Sequence, residues 1–235
     1  MPGPELIILA TAAIKGAVAQ VPEKFAAQTG DRANFAFGTA GFVAGKLTSG
    51  TAFDLVVLPP PRMKEMAEKG LVVASSIKLL GAVPLGAAVQ KGQPHPAIAS
   101  MDELRATLLA APSIGMADPA AGATSGVFMM NRLRELGMLD ALQSKLHLYP
   151  EGQVAMEAAA RGEVALGLGL VSEILPVPGA EMIGRLPQDI QLQSAYSLAV
   201  GGHTTQPEAA ARLHAFMTSA ETRAAFAAQG FNTGS

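Results

Sequence analysis

Short apolar runs, small-residue loops and helix-period stretches alternate along the chain. Residues 6–10 form the first run, as expected of a strand buried on both faces. Beyond Thr11, the apolar residues Ile14, Val18, Val21 and Phe25 recur at spacings of four, three and four. That spacing predicts a helix over about 12–27, capped by Thr11, with Pro22 as a kink or break. Gly30 ends it, and residues 33–37 read as a second strand. The loop Gly38-Thr39-Ala40-Gly41 follows, then a helix to about residue 48. Residues 53–58 form a third strand. Pro59-Pro60-Pro61 stops it and opens a helix over 62–69, since Pro is tolerated in a first turn.

The pattern resumes in the second half. Residues 83–89 read as extended. Ser100 and Glu103 make a capping box for a helix ending near 111, before Pro112. Residues 113–117 are a strand, 118–126 a small-residue loop, and 127–136 a helix stopped by Gly137. A strand over 145–149, a helix over 153–161 and a strand over 164–170 complete this part. Gly167 and Gly169 in the last strand suggest close approach of backbone or ligand. Pro176-Val177-Pro178-Gly179 is a rigid turn, and Pro187 lies in another. Residues 195–200 are a strand, 207–217 a helix, and Ser219 caps a final helix ended by Gly230. Repeated strand–helix units predict an α/β fold with mostly parallel sheets flanked by helices. Ligands of such sheets sit beyond the carboxyl ends of the strands, where Thr11, Thr39 and Pro59 fall.

The loop from Asp118 to Gly126 carries the clearest candidate chemistry. A helix start leaves about four backbone N–H groups unpaired and carries roughly half a positive charge. Small residues admit a ligand to the backbone, and Thr124 and Ser125 add hydroxyls, which suits a carboxylate or a tetrahedral oxoanion. The alternative is an ordinary loop with Thr124 or Ser125 as N-cap. Lys15 reads as a solvated surface residue or an anion-binding one, and Arg62 as exposed or facing a ligand. Glu173 reads as a solvated acid in a first helical turn or as a buried acid with a raised pKa.

Composition narrows the function. The 235 residues suffice for one large domain or two small lobes, and 49% are hydrophobic. Only 15% are charged, the net charge is -2, and there is no basic tract, which argues against nucleic-acid binding. There is no Cys, and His95, His147, His203 and His214 are scattered, so neither a disulfide framework nor a zinc site is expected. No apolar run is long enough for a transmembrane helix. Met1-Pro2-Gly3-Pro4-Glu5 has no positive n-region and does not read as a signal peptide. The expectation is a cytoplasmic protein as written, or a periplasmic one if a leader has been removed. The closing Gly234-Ser235 reads as native or as a cloning remnant.

The loops together resemble the molybdate-binding-protein-like group of type II periplasmic solute-binding proteins. The resemblance rests on Ala10-Thr11-Ala12-Ala13, Gly38-Thr39-Ala40-Gly41, residues 50–57, the 118–126 loop and the closing 207–231 pattern. Leu108-Leu109-Ala110-Ala111 and the run from Ser172 to Gly179 resemble a branch that includes bacterial aconitate isomerases. The resemblance implies two α/β lobes, about 1–80 plus 197–235 and about 81–196, with a ligand cleft between them and hinge closure. It implies ligand contacts at Thr11, Ala12, Thr39, Ala40 and Pro59 in lobe one. In lobe two it implies Ala123, Thr124, Ser125, Leu170, Val171 and Ser172. Thr11 stands where molybdate binders commonly carry Ser, Pro59-Pro60-Pro61 replaces small residues, and Leu168 and Leu170 make one wall more apolar.

Three functions follow. One is a solute-binding protein for a small anion, with no cofactor or metal, as a monomer, delivering to an ABC permease if exported. The alternative is a cofactor-free isomerase that shifts the double bond of an unsaturated carboxylate. Its candidate proton carriers are Glu173, Asp118, Lys15 and His203. A stand-alone ligand-sensing domain is a third possibility.

Overall fold

The computed structural model describes residues 3–234; Met1, Pro2 and Ser235, on which the readings of the chain ends partly rest, lie outside the described residues. The elements run β1 (Glu5–Thr11), α1 (Val21–Thr29), β2 (Arg32–Gly38), α2 (Ala40–Thr48), β3 (Leu55–Leu58) and α3 (Pro60–Glu68). Then follow β4 (Lys78–Gln90), α4 (Met101–Ala110), β5 (Ile114–Ala117), α5 (Thr124–Glu135), α6 (Leu139–Leu142), β6 (Leu146–Tyr149) and α7 (Gly152–Ala160). The chain closes with β7 (Leu166–Leu170), α8 (Val171–Ile174), β8 (Ala180–Arg185), β9 (Gln193–Val200), α9 (Pro207–Met217) and α10 (Ala220–Ala228). One compact unit holds the described residues up to Ala82 and those from Ala195 onward; the other is Val83–Ser194.

In the first unit the strands lie in the order β2-β1-β3-β9. β1 is parallel to β2 and β3, and β9 runs antiparallel to β3. The continuous apolar runs read from sequence are mostly buried: β3 at all four positions, and the run 6–10 except for Ile7, which is exposed. Val43, Leu47, Leu58, Met63 and Met66 bring α2 and α3 into one core with β3. Each such side chain contributes about 1.5–3 kcal/mol on burial. Phe25 anchors α1 and meets Phe216 of α9 edge-on at 5.7 Å.

In the second unit the order is β4-β7-β5-β6, with β8 also paired to β4. β5 is parallel to β6 and β7, while β4 is antiparallel to β7 and β8. The Ser100 capping box is present in both halves, Glu103 N–H to the Ser100 hydroxyl and Ser100 N–H to the Glu103 carboxylate. Gly167 is explained by packing, since a Cβ there would sit 2.9 Å from the Met156 methyl.

Three expectations need correction. The single helix over 12–27 is instead a 3-10 turn, Ala12–Ile14, followed by turns and then α1 from Val21. Of the kink or break expected at Pro22, the break is found just before it, in the turns over 15–20, and Pro22 falls in the first turn of α1, where its missing N–H costs nothing. Thr11 therefore caps no α-helix, and its side chain makes no capping bond. The helix expected from 127 begins three residues earlier at Thr124, with Ala123 as N-cap, so neither Thr124 nor Ser125 caps it. Finally, β8 was not expected; Ala180–Arg185 lacks an alternating burial pattern and is held as a strand by pairing to β4 across a register shift at Ala87/Ala88.

Candidate functional site

Within the first unit, strand register gathers the predicted residues at one edge. Thr11 pairs with Gly38, and Ala10 with Val57, so Thr11, Thr39 and Pro59 follow the carboxyl ends of neighbouring strands. Thr39 is the N-cap of α2, and its hydroxyl accepts from Phe42 N–H at 3.1 Å. Ala40 is buried as the first residue of that helix, and Pro59 is buried before α3. Ala12 opens the 3-10 turn after β1. The Thr11 hydroxyl is buried and has no hydrogen-bond partner, and the whole residue is 3% exposed.

The second unit builds its own edge the same way. Ala117 pairs with Tyr149, and Met116 with Leu168, so the loops after β5, β6 and β7 all leave from one end. After β5, the Asp118 carboxylate accepts from Ala120 N–H at 2.8 Å and closes a 3-10 turn. Gly122, at φ 73°, turns the chain into α5. Ala123 has no side-chain oxygen, so the N–H groups of Thr124, Ser125 and Gly126 start α5 with no side-chain cap. Gly126 lets that start press onto β5: a Cβ there would lie 2.2 Å from the Ala117 carbonyl oxygen. After β7, Leu170 and Val171 are buried, and Val171 and Ile174 pack on Gly86 of β4. Ser172 mirrors Thr11: it is 3% exposed, and its hydroxyl has no partner.

Glu173 is a buried acid, contrary to the solvated alternative. It is 7% exposed, and its carboxylate accepts from Leu170 N–H at 2.9 Å. Burial, above all, pushes its pKa up to about 7; the Leu170 bond pulls it down and the charge of Glu151 adds to the rise.

Of the other proton-carrier candidates, Asp118 lies in the loop after β5, whereas Lys15 and His203 are not gathered with Glu173. Lys15 is exposed at the end of the 3-10 turn. His203 is exposed and lines a depression with Glu5, Ile7 and Asp54, at the start of β1 and β3. Thr11 lies at the far end of β1, roughly 13–20 Å away at about 3.3 Å per residue. His203 is therefore removed from the strand-end loops that hold Thr11. Arg62 is exposed and pairs with Glu65 at 3.0 Å. Sequence reasoning placed the helix over 153–161 but did not single out its start, which lies against Glu173. Pro150-Glu151-Gly152 after β6 repeats the strand, short loop, helix-start arrangement, which was the available signal.

A family model described as bacterial extracellular solute-binding protein matches residues 6–232. The chain belongs to that family. Among relatives of this solute-binding protein is an aconitate isomerase from Pseudomonas sp, 28% identical over 231 residues, covering 96% of this chain and 86% of that protein. The molybdate-binding protein ModA of Mycobacterium tuberculosis (strain ATCC 25618 / H37Rv) is 24% identical over 232 residues, covering 96% and 84%. The periplasmic molybdate-binding protein of Azotobacter vinelandii superposes with a TM-score of 0.82 at 18% identity, covering 98% of this chain and 100% of that one. That likeness shows the two-lobed periplasmic-binding-protein fold expected from the resemblance. No helix among the described residues is long and apolar enough to cross a membrane.

Proposed function

We propose that this solute-binding protein holds a small anion through donors on its strand-end loops. The observation that carries the reading is the pair of buried, unpartnered hydroxyls, Thr11 in one unit and Ser172 in the other. A buried hydroxyl without a partner is a cost, and a ligand that accepts from it removes that cost. The uncapped start of α5 supplies backbone donors and the positive end of a helix dipole. The likeness to molybdate-binding proteins supports an oxoanion, and the extracellular description of the family supports delivery to an ABC permease from the periplasm.

The test has two parts. Thermal shift against molybdate, sulfate, phosphate and cis- and trans-aconitate comes first; a ligand at 100 times its dissociation constant adds about 2.7 kcal/mol. Thr11→Val and Ser172→Ala come second. Each removes an orphaned hydroxyl, so ligand-free stability holds or rises, while binding weakens by about 1–2 kcal/mol. Wild-type affinity in both variants would show that these hydroxyls are not ligand contacts.

Glu173 supports a second reading, a cofactor-free isomerase of an unsaturated carboxylate. A buried acid with a pKa of about 7 can take and return a proton near neutrality. The 28% identity to an aconitate isomerase points the same way. Proton NMR of cis-aconitate with catalytic protein reads this directly. Conversion that Glu173→Gln abolishes supports it, and binding without conversion leaves a carboxylate-binding protein.

A further inference from the structure

The carboxyl group of Glu173 occupies a pocket shaped for it. One oxygen accepts from Leu170 N–H at 2.9 Å, so Glu173 grips the first residue of the segment that carries the unpartnered Ser172 hydroxyl. Against the carboxyl also lies Gly152, the first residue of the nine-residue helix α7. A Cβ at Gly152 would stand 2.1 Å from one Glu173 oxygen and 2.5 Å from the other. A Cβ at Gly169 would stand 3.2 Å away. Two glycines thus clear the space the carboxyl fills, at the start of a helix.

The Leu170 N–H and the positive end of α7 favour the carboxylate, but no side chain offsets its burial. The α7 side brings Glu151, which repels it. β7 carries no ionisable residue, and neither does α8 besides Glu173 itself. From β8, Glu181 is committed to Gly92 N–H and to His95, and Arg185 is exposed. The stretch of β4 beneath α8, residues 85–89, is apolar. Among the described residues no cationic side chain pairs with Glu173.

We propose that Glu173 is the positioning residue for the Leu170–Ser172 segment and that the site takes up its anion together with one proton on Glu173. The coupling rests on the anion-binding reading. An anion accepting from this segment places a second negative charge near a carboxylate that has no counter-ion. The carboxylate then takes a proton from solvent: one oxygen becomes O–H, and the other still accepts from Leu170. Linkage is reciprocal, so the proton tightens the anion as the anion tightens the proton. Burial already brings Glu173 near half-protonation at neutral pH, so a modest added charge tips it.

Calorimetric titration tests this, with molybdate, whose charge is constant near neutrality, and trans-aconitate as the carboxylate arm. Wild-type affinity should fall about five- to tenfold from about pH 6 to about pH 8, with proton uptake detected as a heat that changes with the buffer's ionisation enthalpy. Glu173→Gln keeps an oxygen for Leu170 N–H, so it should bind with a flat pH profile and no proton uptake. Glu173→Ala loses that acceptor and should bind more weakly at every pH. Tight wild-type binding with no proton uptake, or the same pH profile in Glu173→Gln, overturns the coupling and leaves anion binding standing. Failure of both probes to bind wild type overturns the anion-binding reading and the coupling with it.

Discussion

Helices α2 and α5 start at matching places in their two units and are closed differently. Each follows the carboxyl end of a parallel strand. At α2, Thr39 covers one of the helix's own donors, the Phe42 N–H. At α5, Ala123 covers none, and the small residues Thr124, Ser125 and Gly126 leave the helix start bare. A donor committed to a cap stabilises the fold and is withheld from a ligand; an uncapped donor does the reverse. On the anion-binding proposal, α2 is tuned more toward stability and α5 more toward binding.

The largest effect should come from a glycine in each helix. Gly126→Ala forces a Cβ to 2.2 Å from a backbone oxygen of β5, which cannot move aside as a side chain would. The loss should be about 3 kcal/mol or more in urea unfolding, with anion binding reduced. Gly45→Ala in α2 meets nothing within 4 Å. It should stabilise by about 0.5–1 kcal/mol through helix propensity and leave binding unchanged. Equal effects at the two sites would dissolve the contrast.

Next is the pH dependence of stability set by Glu173. Its pKa is raised from 4.5 to about 7 on folding. Between those values the folded state holds more protons than the unfolded one, so stability falls as pH rises through the window. The shift corresponds to roughly 3 kcal/mol, lost from about pH 4.5 and fully absent above about pH 7. Glu173→Gln should remove this slope, so its stability relative to wild type should climb from about pH 5 to about pH 8 in denaturant melts. Parallel curves would show that Glu173 does not titrate in the fold.

Much of this was legible in residues. Continuous apolar runs such as 55–58 and 114–117 have few readings besides buried strands, and the Ser100–Glu103 box announces a helix start. The 3.6-residue period before Pro22 misled, because Ile14 and Val18 are buried by a 3-10 turn and loop that share the spacing of α1, which starts at Val21, by chance. β8 was invisible because its strand character comes from its partner β4 and not from its own pattern. At the site, the loops could be named from their small residues. The unpartnered state of Thr11 and Ser172 could not, since orphaning is a property of packing. The pocket around Glu173 was hidden for the same reason: Gly152 and Glu173 are 21 positions apart in sequence and touch only once α7 and α8 are packed.

The smallest prediction inverts the two caps. Thr39→Ala takes the acceptor from Phe42 N–H and should cost about 1 kcal/mol of stability. Ala123→Ser does the opposite: its backbone, at φ -72° and ψ 122°, already has the extended N-cap conformation, and the new hydroxyl can accept from the second or third residue of α5. The ligand-free protein should gain about 0.5–1 kcal/mol, and molybdate or trans-aconitate should bind more weakly, because the serine occupies a donor the anion would use. Urea melts give the first quantity and calorimetry the second. A gain in stability with no loss in affinity would mean that the bare start of α5 is unused by the ligand, and the difference between the two helices would then be one of folding alone.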